Sequence, residues 1–203
     1  MFPEFFARVP GIALYDPLAE LLGSAEGGII EYRYEDAVRL AGHSCPTVAG
    51  AWLMTRTALR ALYGEAMPHR GGLRVDFAEN MDSGVTGVIA SVATLITGAA
   101  GAGGFKGLGG RFSRRNLLRF GVEGVADLRF TRLDNAAAVH CRFLPNSVAA
   151  DPRLGALLPV VVHEQATPEE RLLFGQLWQD RVRRLLLDHA DDPAVVAVHP
   201  VHG

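Results

Sequence analysis

The 23 consecutive residues from Ser83 to Phe105 carry no charged side chain. A chain has to bury such a stretch, either in a bilayer or in its own core. Six glycines (84, 87, 98, 101, 103 and 104) interrupt it, and Ser91, Thr94 and Thr97 dilute it. This favours a buried helix over about Val85 to Ile96 followed by a glycine-rich loop, and no membrane span. With apolar residues on nearly every side, that helix belongs at the centre of a fold. A chain of 203 residues is long enough to bury a core around it without disulfide staples. The formal charge of −2 gives no basic footprint, so no nucleic acid is expected as a partner. Cys45 and Cys141 cannot form a disulfide framework, Met1-Phe2-Pro3-Glu4 lacks a basic n-region, and Pro10 breaks the apolar stretch after it. The expected compartment is the reducing cytoplasm.

The remaining periodicities surround this helix with a mixture of elements. Asp16 to Gly23 reads as a short helix with Asp16 as cap and Pro17 at N1, and Ile29 to Tyr34 reads as a strand. Glu35 to Ala41 reads as a helix stopped by Gly42, and Pro46 to Tyr63 as a second one stopped by Gly64. Leu73 to Glu79 alternates with period two, which predicts a strand with Leu73, Val75 and Phe77 facing the core. Further strands are expected at 116–120, 127–132, 136–144 and 157–162, the second and third of these forming a hairpin around Asp134-Asn135. Thr167-Pro168-Glu169-Glu170 is a capping box opening a helix to about Asp188. The order predicts an α+β domain with a mixed sheet and helices packed on one face. Residues 1–28 read as an N-terminal extension, 29–190 as the domain, and 191–203 as a tail.

The tetrapeptide His43-Ser44-Cys45-Pro46 carries the most chemical information. Gly42 lets the chain turn sharply, and Pro46 at N1 places Cys45 near the N-cap, where unpaired N–H groups and the helix dipole favour a thiolate. His43 lies in the non-helical lead-in, so imidazole and thiolate can point into one space as half of a transition-metal site. The plain alternative is a small buried cysteine beside a hydrogen-bonding loop histidine. A thiol enzyme using Cys45, with His43 as base, is a third possibility.

The segment Ala41-Gly42-His43-Ser44-Cys45-Pro46-Thr47-Val48-Ala49-Gly50 resembles the GHxCP signature of the FmdE-like family of formylmethanofuran dehydrogenase proteins. The resemblance covers roughly residues 30 to 120. It implies an FwdE/GAPDH-like α+β fold, a homodimer, and zinc or another divalent metal (nickel, iron) held by His43 and Cys45. Family members commonly have another cysteine after the second strand, where this chain has Glu79-Asn80-Met81-Asp82-Ser83-Gly84, and many carry a cysteine-rich zinc module that two cysteines exclude. Asp82 is the first candidate for a third ligand, with an N-cap role as its alternative. His163 and the His140-Cys141 pair follow; alternation places Cys141 on the core face and His140 on the other face, with Arg142.

The glycine-rich loop loosely resembles the family's GKGN-type loop. It lacks the ending of a P-loop and follows a helix rather than a strand, so nucleotide binding by those motifs is not expected. Lys106, Arg111, Arg114 and Arg115 are candidates for gathering a small anionic ligand; a solvated basic stretch is the alternative. A metal-free accessory subunit that docks a partner through its apolar helices is the competing reading of the whole chain.

Overall fold

In the computed structural model, which describes residues 1–201, the helix between Pro46 and Gly64 organises the fold. Pro46–Tyr63 forms the 18-residue helix α3, whose Val48, Trp52, Leu53 and Leu59 are all but fully buried. The uncharged stretch forms helix α4, Thr86–Thr97, which packs along α3 and ends at Gly98 in the left-handed conformation. Among the described residues no helix is long and apolar enough to cross a membrane.

Beneath these helices lies a mixed five-stranded sheet of β3 (Leu73–Phe77), β4 (Leu118–Arg119), β5 (Leu128–Arg132), β6 (Ala138–Phe143) and β7 (Val196–Pro200), in the order β4-β3-β5-β6-β7. β3 and β4 run parallel, and the other neighbours run antiparallel. Leu73, Val75, Phe77, Leu128, Phe130, Val139 and Cys141 belong to the buried core with α3 and α4. Alternation turns Asp76, Arg129, His140 and His199 to the opposite face. This is the expected α+β class. A ribbon of β1 (Ile12–Tyr15) and β2 (Ile29–Tyr32) flanks it, together with helices α1 (Pro17–Leu21) and α2 (Tyr34–Ala41).

Three expectations change. The strand expected at 157–162 is helix α5, Arg153–Val162; a short apolar run has no period of its own, and here Leu154 and Leu157 bury one helical side. The stretch 1–28 is no appendage, because Phe6, Val9, Ile12 and Leu14 are core residues and β1 completes the ribbon. The segment 191–203, of which 202 and 203 lie outside the described residues, is more than a tail: Val196–Pro200 pairs with β6, and Val195 and Val196 are buried. Too short for a domain, it is long enough to cover a sheet edge. The capping box opens α6 (Pro168–Arg183) as expected, and a π turn carries it on to Asp188.

Candidate functional site

The lead-in to α3 is fixed from three sides. Gly42 turns the chain out of α2 with a φ of 75°. The hydroxyl of buried Tyr34 lies 3.0 Å from Ser44 Oγ, and the Ser44 carbonyl accepts from Trp178 Nε1 at 3.1 Å and from Gln179 Nε2 at 3.0 Å. Burial drives the Tyr34 hydroxyl well above its ordinary ionisation range; the bond to Ser44 works against this and the charge of Cys45 adds to it. Tyr34 therefore remains a neutral hydrogen-bonding group.

On this support Cys45 is the N-cap of α3, its Sγ accepting from the Val48 amide at 3.5 Å. Sulfur is a weak acceptor, so this contact orients the side chain more than it stabilises the helix. His43 is exposed, with Nδ1 2.9 Å from the Ala41 carbonyl. Pro46 and Thr47 then open onto a cavity of about 310 Å³ between the heads of α3 and α4 and the ends of β3 and β6. Its apolar walls are Met54, Phe77, Ile89 and Phe143, and its polar groups include Thr86, Glu79 and Asp127. Asp127 is tied to Arg142 by two hydrogen bonds of 2.7 and 3.1 Å.

The other candidates separate. Among the described residues no three His, Cys, Asp or Glu side chains gather closely enough to hold a metal ion, so Asp82 does not join His43 and Cys45. Nor does Asp82 cap α4, whose N-cap is Val85 without a side-chain bond. His163 ends α5 on the surface. Cys141 is a core residue, 1% exposed, and burial pushes its thiol up to about 12. His140 stands on the open sheet face opposite His199; burial first, then Arg129 and His199, lower its basicity.

The basic candidates also divide. Lys106 is exposed, Arg111 lies over the Phe112 ring at 4.6 Å, and Arg115 donates from Nε to the Ala102 carbonyl. Arg114 turns inward, 6% exposed, and donates to Asp16 Oδ1 at 2.7 Å. It is part of an internal ion pair instead of a solvated basic stretch.

Two buried carboxylates escape a reading of the sequence by segments. Asp16, visible as a helix cap, is also the partner of Arg70 and Arg114. Asp76, 0% exposed, accepts from Arg74, Arg119 and Arg129 on the open sheet face. The signal was an acidic residue on the face away from Val75 and Phe77, with arginines recurring in the later strands; only the register shows that they meet. No protein-family model matches this chain, and a comparison with curated proteins finds no match.

Proposed function

We propose that the protein binds a divalent transition metal at the head of α3, through His43 Nε2 and Cys45 Sγ, beside the cavity that Pro46 and Thr47 line. One observation carries the reading: the 2.9 Å contact between His43 Nδ1 and the Ala41 carbonyl. A carbonyl oxygen only accepts, so Nδ1 holds the ring proton and Nε2 keeps the free lone pair that a metal requires. Imidazole nitrogen and thiolate sulfur are a borderline-soft pair suited to zinc, nickel or iron. They fit such an ion as half of its donor set, and water, a bound ligand or a second copy of the chain supplies the rest. Asp82 has no part in this set. The resemblance of residues 41–50 to the FmdE-like signature supports the same two ligands.

When bound, the ion supplies a Lewis acid that polarises an oxygen of a ligand. The chain's own contribution is orientation. Trp178 and Gln179 hold the Ser44 carbonyl, which fixes the residue between the two donors, and the Val48 amide orients the Cys45 sulfur. The adjoining cavity, which neither donor lines, would offer a small ligand apolar walls, with Glu79 and Thr86 as polar contacts.

Inductively coupled plasma mass spectrometry of the purified, tag-free protein tests the proposal. The expected result is about one metal per chain, or about half where two copies share an ion, falling to background in both His43→Ala and Cys45→Ser. Full occupancy in both variants overturns it, as does metal-free protein that takes up none of zinc, nickel or iron(II).

A metal-free docking subunit is favoured by a different feature. An open apolar groove of about 470 Å³ runs along α4 between Leu40, Met81, Leu118 and Phe120. Leu40 and Met81 are 51% and 62% exposed there. Separately, we propose that the homodimer implied by the resemblance closes over this groove, and light scattering at known concentration reads it directly. A monomer in solution overturns the homodimer.

A further inference from the structure

A second concave site lies away from His43 and Cys45. The turn that leads into β3 and the return arm of the glycine-rich loop wall a cleft of about 190 Å³, lined by His69, Arg70, Gly71, Phe112, Ser113 and Arg114 along with Pro17 and Gly72. Two of the lining guanidinium groups meet one carboxylate behind the wall: Arg70 Nη1 donates to Asp16 Oδ2 at 3.0 Å and Arg114 Nη2 to Oδ1 at 2.7 Å. The Asp16 and Arg114 side chains are 4% and 7% exposed. Two cations on one anion leave a surplus positive charge, shielded from water at Arg114 and reached by it at Arg70, whose side chain is 21% exposed, so that an anion in the cleft would answer it.

The backbone is shaped around this arrangement. A Cβ on Gly71 would stand 1.2 Å from Arg114 Nη1, and Gly71 has a φ of +81°, so only glycine admits the guanidinium. Phe112, with a full side chain, holds a left-handed φ of 63°, and strain of this kind persists where the surroundings over-determine it. At the mouth Ser113 is exposed, and the Arg111 guanidinium lies over the Phe112 ring.

We propose that this cleft binds a small oxyanion, a phosphate or carboxylate group, against Arg70 and Arg114, with Ser113 at its mouth and Arg111 behind the lining Phe112 ring. Guanidinium groups match both anions, with planar paired donors. This site is independent of the metal reading, since it shares no residue with the head of α3.

Isothermal titration calorimetry of the full chain at low ionic strength tests it, with inorganic phosphate and acetate as probes and chloride as control. Saturable binding of one probe and not of chloride is the expected result. Phosphate alone points to phosphate esters, and acetate alone to carboxylates. Ser113→Asp places a carboxylate at the mouth without touching the Asp16 pairs and is expected to weaken binding by about tenfold or more, whereas Ser113→Asn, neutral and similar in size, retains it. If Ser113→Asp fails to fold by circular dichroism, Arg111→Gln takes its place, with a smaller loss expected. No saturable heat at about 10 mM probe, an equal response to chloride, or wild-type affinity in folded Ser113→Asp (or in Arg111→Gln where it takes that variant's place) overturns the proposal.

Discussion

The two cysteines show how position decides the chemistry of one side chain. Cys141 faces the core from β6, 1% exposed, its Sγ within 3.9 Å of the Met54 carbonyl, and burial raises its thiol to about 12. Cys45, partly exposed, caps a helix and accepts an amide proton. Iodoacetamide on the native protein is expected to modify Cys45 alone, and both cysteines in denaturant, as read by mass spectrometry of peptides. Bound zinc should protect Cys45; modification of Cys141 at a comparable rate in the folded state would contradict the packing of β6. The environments of both were legible in the sequence because they are local: Gly42 and Pro46 announce a helix start, and period-two alternation places Cys141 inward. Arg114 was not, because its partner Asp16 is 98 residues away. A basic residue in a polar stretch looks the same whether it faces solvent or a buried carboxylate.

Elements with a strong internal period were legible for the same reason, and those defined by their neighbours were not. α3 and α6 carry their own caps, so their starts are written in sequence: Cys45-Pro46 for one and Thr167 with Glu170 for the other. β7 exists because β6 has an edge to cover, and five residues of Val-Ala-Val-His-Pro do not announce that. The docking of α6 on the lead-in to α3 is likewise invisible in sequence, yet it holds the candidate site through two donors on one carbonyl, from Trp178 and Gln179. Trp178→Phe keeps an aromatic ring against Phe174 while removing one donor, and Gln179 remains. The expected loss is about 1 kcal/mol in urea unfolding, with the fold retained and faster hydrogen exchange at the Val48 and Ala49 amides, which bond to Cys45. Unchanged exchange there would show that α6 does not fix the lead-in.

At the scale of the whole molecule, two buried carboxylates tie distant segments together around the apolar core. Asp16 joins the β1 end to the turn before β3 and to the glycine-rich loop, and Asp76 joins β3, β4 and β5 across the open sheet face. In both, burial works against the charged form. The arginines outweigh it, with two amide N–H groups assisting at Asp16, so each carboxyl is held below its ordinary range. An acid that ionises more readily folded than unfolded stabilises the fold above its unfolded value, near 4, and that contribution is lost as pH falls through the lower folded value. Urea unfolding is therefore expected to show nearly constant stability from about pH 7 to 5 and a decline below about pH 4. Asp76→Asn leaves three guanidinium groups around a neutral amide and should cost about 3–5 kcal/mol at neutral pH, a large share of the 5–15 kcal/mol typical of a domain. Asparagine has no carboxyl to protonate, so the gap between variant and wild type should narrow as pH falls below about 4. A variant as stable as wild type at pH 7, or a gap that stays constant into acid, would mean that the arginines on the open sheet face are held by solvent and not by Asp76.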